Sequence, residues 1–283
     1  MGMQINTNLA ANNTYRNLAA TQNDMSKSLE KLSSGLRINR AADDAAGLAI
    51  SEGLKSQVGG LTVASRNAQD GVSVIQTAEG SLNEVQSILQ RVRDLAVQAG
   101  NDSNNADSRG AIKTEVTALG AELTRIKDSA NFNGTKLLDG TGGAAGVLTF
   151  QVGAGSTASD QISVTMKNLT TIAGDVTALA TAGFDSASAV NGAAGTISKL
   201  DAAITEISTA RADLGANQNR FESVIKNLAV SKENLTAAGS RIRDTDMAEE
   251  MVKYTRSSIL SQAGTAMLAQ ANQSAQGVLS LLR

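Results

Sequence analysis

Residues 54–99 read LKSQVGGLTVASRNAQDGVSVIQTAEGSLNEVQSILQRVRDLAVQA, and their spacing decides the fold. Leu54, Leu61, Ala68, Ile75, Leu82, Leu89 and Ala96 stand seven apart. A second row, Ala64, Gly71, Ala78, Val85, Val92 and Ala99, keeps the same step. A seven-residue apolar repeat is the seam of a helix packed along other helices. Asp43 or Asp44 is placed to cap its start, so the spacing predicts one helix over 44–99. At 1.5 Å per residue, roughly 55 residues span on the order of 80 Å, a length suited to a rod.

The same step recurs on both sides. Toward the N-terminus, helix is predicted from Ile5 to Leu36. Leu18, Met25 and Leu32 form one row; Tyr15, Gln22, Leu29 and Leu36 form another. Toward the C-terminus, Leu200, Ile207, Leu214, Phe221, Leu228, Leu235 and Ile242 repeat at seven. Asp244-Thr245-Asp246 then breaks the run and caps a last helix carrying Met247, Met251, Leu260, Met267, Leu268, Val278, Leu281 and Leu282. Ile112, Val116, Leu119, Leu123, Ile126 and Ala130 alternate four and three apart, marking a shorter helix after the polar loop 100–108.

The middle differs. Asn133-Gly134 is a tight-turn signal. Leu148–Val152 and Ile162–Met166 alternate apolar and polar residues, as half-buried strands do. Residues 168–195 are rich in Ala, Thr, Gly and Ser, and read as a small insertion with one short helix and loops. Helical segments thus flank a small β-rich centre. Folding the chain back there buries matching seams and brings the two ends together. The expected fold is mainly α: a long antiparallel helical-bundle or coiled-coil rod with a small β-hairpin region mid-chain. The expected divisions are 1–43, 44–138, 139–195, 196–243 and 244–283.

Composition supports long helices and excludes much chemistry. The 283 residues include no Pro, no Trp and 2% aromatics. Burial therefore rests on Leu, Ile, Val, Met and Ala in thin seams. With no Cys and no His, thiol nucleophiles, imidazole bases and Cys/His zinc sites are absent. The net charge of −2 gives no global attraction to nucleic acid or to anionic membrane. No run of 18 apolar residues is present, so no membrane insertion is expected. A basic-then-apolar leader is not visible at the N-terminus. Met1-Gly2 lacks the Ser or Thr that acylation would want where Asn6 stands.

Individual motifs read most simply as structure. Gly140-Thr-Gly142-Gly-Ala-Ala145 fits a loose dinucleotide fingerprint, yet a strand-like run follows it where that motif needs a helix. Asp244, Asp246, Glu249 and Glu250 form the densest carboxylate cluster, and capping with the helix dipole explains it. Sequons at Asn101 and Asn133 are expected by chance in so Asn- and Ser/Thr-rich a chain. Arg91, Arg93 and Asp94 read as a solvated helix face. No catalytic, cofactor or metal residue is assigned.

Several runs together resemble bacterial flagellins: Ile5-Asn-Thr-Asn8, Leu32–Asn39, Ala41–Ser51, Gln90–Gln98, Phe132-Asn-Gly134 and Ser240–Ala248. They cover about 140 N-terminal and 90 C-terminal residues, in order and spacing. The middle resembles nothing comparable, and with roughly 50 residues there, large outer domains are expected to be missing. The resemblance implies a filament subunit without enzymatic activity, exported unfolded through the flagellar type III pathway to the cell exterior. The terminal helices resemble the family's inner-tube segments, disordered in the free subunit and paired on assembly. Ile5, Leu9, Leu18, Met25, Leu29, Leu32, Met247, Met251, Leu260, Met267, Leu268, Val278 and Leu281 are then the assembly residues.

Implied partners are further copies of the chain, an export chaperone on residues 247–283, and cap and hook-associated proteins. Gln90–Gln98 resembles the segment recognised by Toll-like receptor 5, with Gln90, Arg91, Leu95 and Glu115 at matching positions. A hook–filament junction protein shares similar ends and is the alternative within this machinery. Peptidase-bearing relatives need a His-Glu-x-x-His motif, which a His-free chain cannot supply. A free coiled-coil binding module would be helical throughout, including its ends.

Overall fold

A computed structural model describes residues 8–191 and 195–281, with side chains through residue 273. The order is α1 (Leu9–Ser34), α2 (Ala45–Ala99), α3 (Ala106–Ser129), β1 (Asn131–Phe132), β2 (Thr135–Lys136), β3 (Val147–Gln151), β4 (Gln161–Thr165), α4 (Thr170–Ala182), α5 (Ala187–Val190), α6 (Thr196–Arg243) and α7 (Met247–Leu281). The architecture is mainly α, with two small antiparallel hairpins. Among the described residues no helix is long and apolar enough to cross a membrane. Two compact units form: residues 1–58 with 233–283, and residues 59–232.

The unit of residues 59–232 holds the main core. The seam positions Ala68, Ile75, Leu82, Leu89 and Ala96 of α2 are buried, as are Ala78, Val85, Val92 and Ala99 of the second row. They share one cluster with Leu200, Ile207, Leu214 and Phe221 of α6. The two helices run antiparallel here: Arg93 pairs with Asp201 at 2.5 Å, while Arg211 reaches Gln86 at 2.5 Å and Glu79 at 3.6 Å. Gly71 permits the closest approach, since a Cβ there would sit 2.9 Å from the Phe221 ring. That ring meets Phe150 of β3 edge-on, with centroids 5.5 Å apart and planes at 88°. Two of the six aromatics thus meet where the hairpin joins the helices.

The hairpins follow the sequence signals. Asn133 and Gly134 take φ of 48° and 83° between β1 and β2, the left-handed pair that a two-residue hairpin turn requires. In β4, Ile162 and Val164 point inward and their neighbours outward, which is the expected alternation. At the hairpin tip, the Asp160 carboxylate accepts from the Thr157 hydroxyl at 2.6 Å and from the Thr157 N–H at 3.1 Å. These bonds draw its pKa below the ordinary aspartate value of 3.8.

One expectation needs correction. Residues 168–191 hold two helices rather than one: α4, and the single-turn α5. Ile172, Val176 and Leu179 give α4 a buried face in the shared core, and Gly120 of α3 lets Thr177 approach. Lys113 of α3 donates to the Thr181 carbonyl and pairs with Asp185 at 2.7 Å. Weak apolar periodicity conceals this helix because much of its face is Ala, which packs by its smallness.

The other unit joins the chain's two ends. Gly47 N–H donates to Asp44 at 2.8 Å, so Asp44 caps α2. Asp43 instead accepts the Asn39 and Arg40 N–H groups and closes the preceding turn. These backbone bonds lower its pKa, that from Arg40 most. Asp246 caps α7 by accepting from Ala248 and Glu249 N–H.

Candidate self-assembly surface

The geometry of α1 and α7 sets what this end of the molecule can do. They pair antiparallel: Asn8 donates to the Ala271 carbonyl at 3.0 Å, Leu18 lies against Gly264, and Arg37 N–H donates to the Arg243 carbonyl. On α1 the inward positions are Ala11, Thr14, Leu18, Thr21, Met25, Ser28 and Leu32. On α7 they are Glu250, Tyr254, Ser257, Ser261, Gly264, Leu268 and Ala271. Both sets step by three and four, as a coiled-coil seam does. The seam is thin and partly polar. Ile38 is the fully buried large hydrophobic of this unit among the described residues, beside buried Ser28, Ser51 and Glu250.

Many of the unit's large apolar side chains lie on the outside. Met247 is 48% exposed, Met251 52%, Leu260 52% and Met267 63%. Val252 and Ile259 are similarly bare, and on α1 so are Leu9, Tyr15 and Leu29. Met251, Val252, Thr255, Arg256, Ile259 and Leu260 line a shallow apolar groove on α7. Exposed apolar side chains grouped in this way make this face of α7 a candidate contact surface.

The assembly residues expected from the sequence therefore fall into two sets. Leu18, Met25, Leu32 and Leu268 occupy the intrachain seam. Leu9, Leu29, Met247, Met251, Leu260 and Met267 face outward. Ile5 and the side chains of Val278 and Leu281 lie outside the described residues. Sequence reading missed Tyr15, Val252 and Ile259 as outward apolar positions. It also missed the small inward residues Ser257, Ser261 and Gly264, which carry no hydrophobic signal.

The carboxylates beside α7 all have structural partners. Asp244 accepts from the Ser240 hydroxyl at 2.6 Å, and Lys253 pairs with Glu249 at 2.9 Å and Glu250 at 3.6 Å. Capping and helix-surface pairing use the whole cluster.

A second surface lies on the other unit. Gln90 is exposed, and Arg91 of α2 pairs with Glu115 of α3 at 2.7 Å, both about half exposed. Leu95 is buried at 3% and belongs to the core. The structure thus brings Arg91 and Glu115 together on the surface and places the Leu95 side chain beneath it. Asp201 holds the neighbouring Arg93 guanidinium charged by hydrogen bonding and charge, raising its pKa.

Comparison with known proteins gives the context. Residues 5–142 match the family model of the bacterial flagellin N-terminal helical region, and residues 197–282 match that of the C-terminal helical region. A flagellin of Halalkalibacterium halodurans is 51% identical over 281 residues, covering 99% of this chain and all of the relative. A flagellin of Bacillus subtilis is 49% identical over 306 residues with the same coverage. A 33 kDa flagellar filament core protein of Treponema phagedenis is 47% identical over 289 residues, again covering 99% and 100%.

Proposed function

The chain belongs to the bacterial flagellin family, and from that premise we propose that it polymerises through its terminal helices into the extracellular flagellar filament. It is a structural subunit of the short form, with no large outer domain between its helical regions. The observation that carries this reading is the placement of apolar surface. The unit holding both ends has a thin seam, and many of its large side chains, Met251, Ile259 and Leu260 among them, face outward. Helices this poorly buried gain stability mainly from packing, and neighbouring copies supply that packing. A repeated contact that does not close on itself gives a helical polymer.

Swimming motility, type III export and a non-enzymatic role complete the proposal. Export suits a thin seam, because little buried surface has to be lost to present α1 and α7 as extended chain. The exposed α7 groove is the proposed seat of the export chaperone before assembly, with cap and hook-associated proteins meeting the polymer's ends. Gln90, Arg91 and Glu115 form the proposed contact for Toll-like receptor 5, with Leu95 supporting them from beneath. Replacing Ile259 and Leu260 together by Asp tests the assembly reading. Seeded polymerisation should fail while helical content is retained. Normal filaments from that variant would overturn it, and short closed complexes from the unaltered chain would favour a junction protein.

A further inference from the structure

The chain has no Cys, His or Trp, so thioethers are the side chains that a two-electron oxidant meets first. Of its seven Met residues, the five among the described residues are placed very unequally. Met166 is buried at 4%, and Met25 is half-buried in the α1–α7 seam. Met247, Met251 and Met267 are 48%, 52% and 63% exposed. Met247 and Met251 stand one turn apart on neighbouring positions of α7, while Met267 lies four turns further on and about 160° round the helix from Met251, so the three flank the seam from both sides. Met251 also forms part of the apolar groove wall.

We propose that these three exposed methionines of α7 form a reversible oxidation site that turns assembly off in the free subunit, with peroxides as the oxidant; the proposal rests on the assembly reading above. The thioether sulfur attacks a peroxide oxygen. The S–O bond forms as the O–O bond breaks, sulfur gives up two electrons, and the second oxygen leaves as water after taking a proton. The sulfoxide is uncharged but strongly polar. Burying it against an apolar neighbour leaves its oxygen without a donor, which opposes packing. The intrachain seam is spared, because none of the three is among its inward positions. Two thiols reverse the change, becoming a disulfide while the sulfoxide oxygen departs as water. Copies already packed in a polymer shield these methionines, so the switch acts on free subunits.

The test treats full-length protein with graded hydrogen peroxide, maps sulfoxide by peptide mass spectrometry, and follows seeded polymerisation. Met247, Met251 and Met267 should oxidise ahead of Met166. Polymerisation should be lost in step with their oxidation while helical content holds. Methionine sulfoxide reductase should restore it. In a variant with Met247→Leu, Met251→Leu and Met267→Leu, peroxide should no longer lower the polymerisation that the untreated variant shows. Full polymerisation of protein oxidised at all three positions, or equal sensitivity of the triple variant, would overturn the proposal. Failure of untreated protein to polymerise would instead overturn the assembly reading, and this proposal with it.

Discussion

Leu18 of α1 and Gly264 of α7 set how closely the chain's two ends can pair: a Cβ on Gly264 would stand 3.2 Å from Leu18 Cδ1. The neighbour is the tip of a flexible side chain, so one methyl group can be accommodated by a small shift. Gly264→Ala should therefore keep the pairing, helped by a helix-propensity gain of up to about 1 kcal/mol. Gly264→Leu places a whole side chain in the same space. It should separate α1 from α7, lower helical content at that end, and leave the unfolding of residues 59–232 unchanged. Circular dichroism with amide exchange of α1 would show both effects.

The paired ends also show where the sequence was legible. The rows of α2 and α6 were read correctly because Leu, Ile, Val and Phe recur among their inward residues, which a hydrophobic pattern reveals. In α1 the rows starting at Tyr15 and Leu18 have equal spacing and similar composition. Which one faces inward is decided by α7, whose inward positions include Ser257, Ser261 and Gly264. Small and polar residues carry no hydrophobic signal, so the seam could not be told from the outer strip. Leu268 was an exception, lying inward. Leu95 illustrates the same limit on α2, where the buried stripe is wider than the two rows read from spacing.

Phe221 should be the costliest single truncation in the unit of residues 59–232. It is fully buried against Gly71 and Phe150. Phe221→Ala should cost about 3–5 kcal/mol. Chemical denaturation should show a lowered midpoint, and Phe150→Ala in the same background should cost less than it does alone, because the ring pair is already lost.

Leu95 and Arg91 should separate folding from recognition. Leu95→Asp puts a charge into the core and should unfold the surrounding helices. Arg91→Ala removes an exposed pair with Glu115, a change worth under about 1 kcal/mol in stability. Its melting curve should match the parent's, while the response of cells reporting on Toll-like receptor 5 falls. An unchanged response would remove Arg91 from the proposed contact.

Asp160 should make the hairpin tip sensitive to acid. Its folded pKa is depressed, first by the Thr157 hydroxyl and then by the Thr157 N–H. The unfolded value is the higher one, so the unfolded chain takes up protons first as pH falls. The contribution is complete above the ordinary value of 3.8 and is lost as pH drops through the depressed folded value. Amide exchange at residues 153–160 should accelerate there. Asp160→Asn should remove the dependence and exchange faster at neutral pH.

The most direct test of terminal-helix assembly is electron microscopy of the purified full-length chain seeded with short fragments of its own polymer. Long, helically ordered filaments that lengthen as subunits are added, and that fail to grow once Ile259 and Leu260 are both replaced by Asp, are the expected result. Persistent monomers or short closed complexes from the unaltered chain, or normal growth of the doubly substituted one, would contradict it.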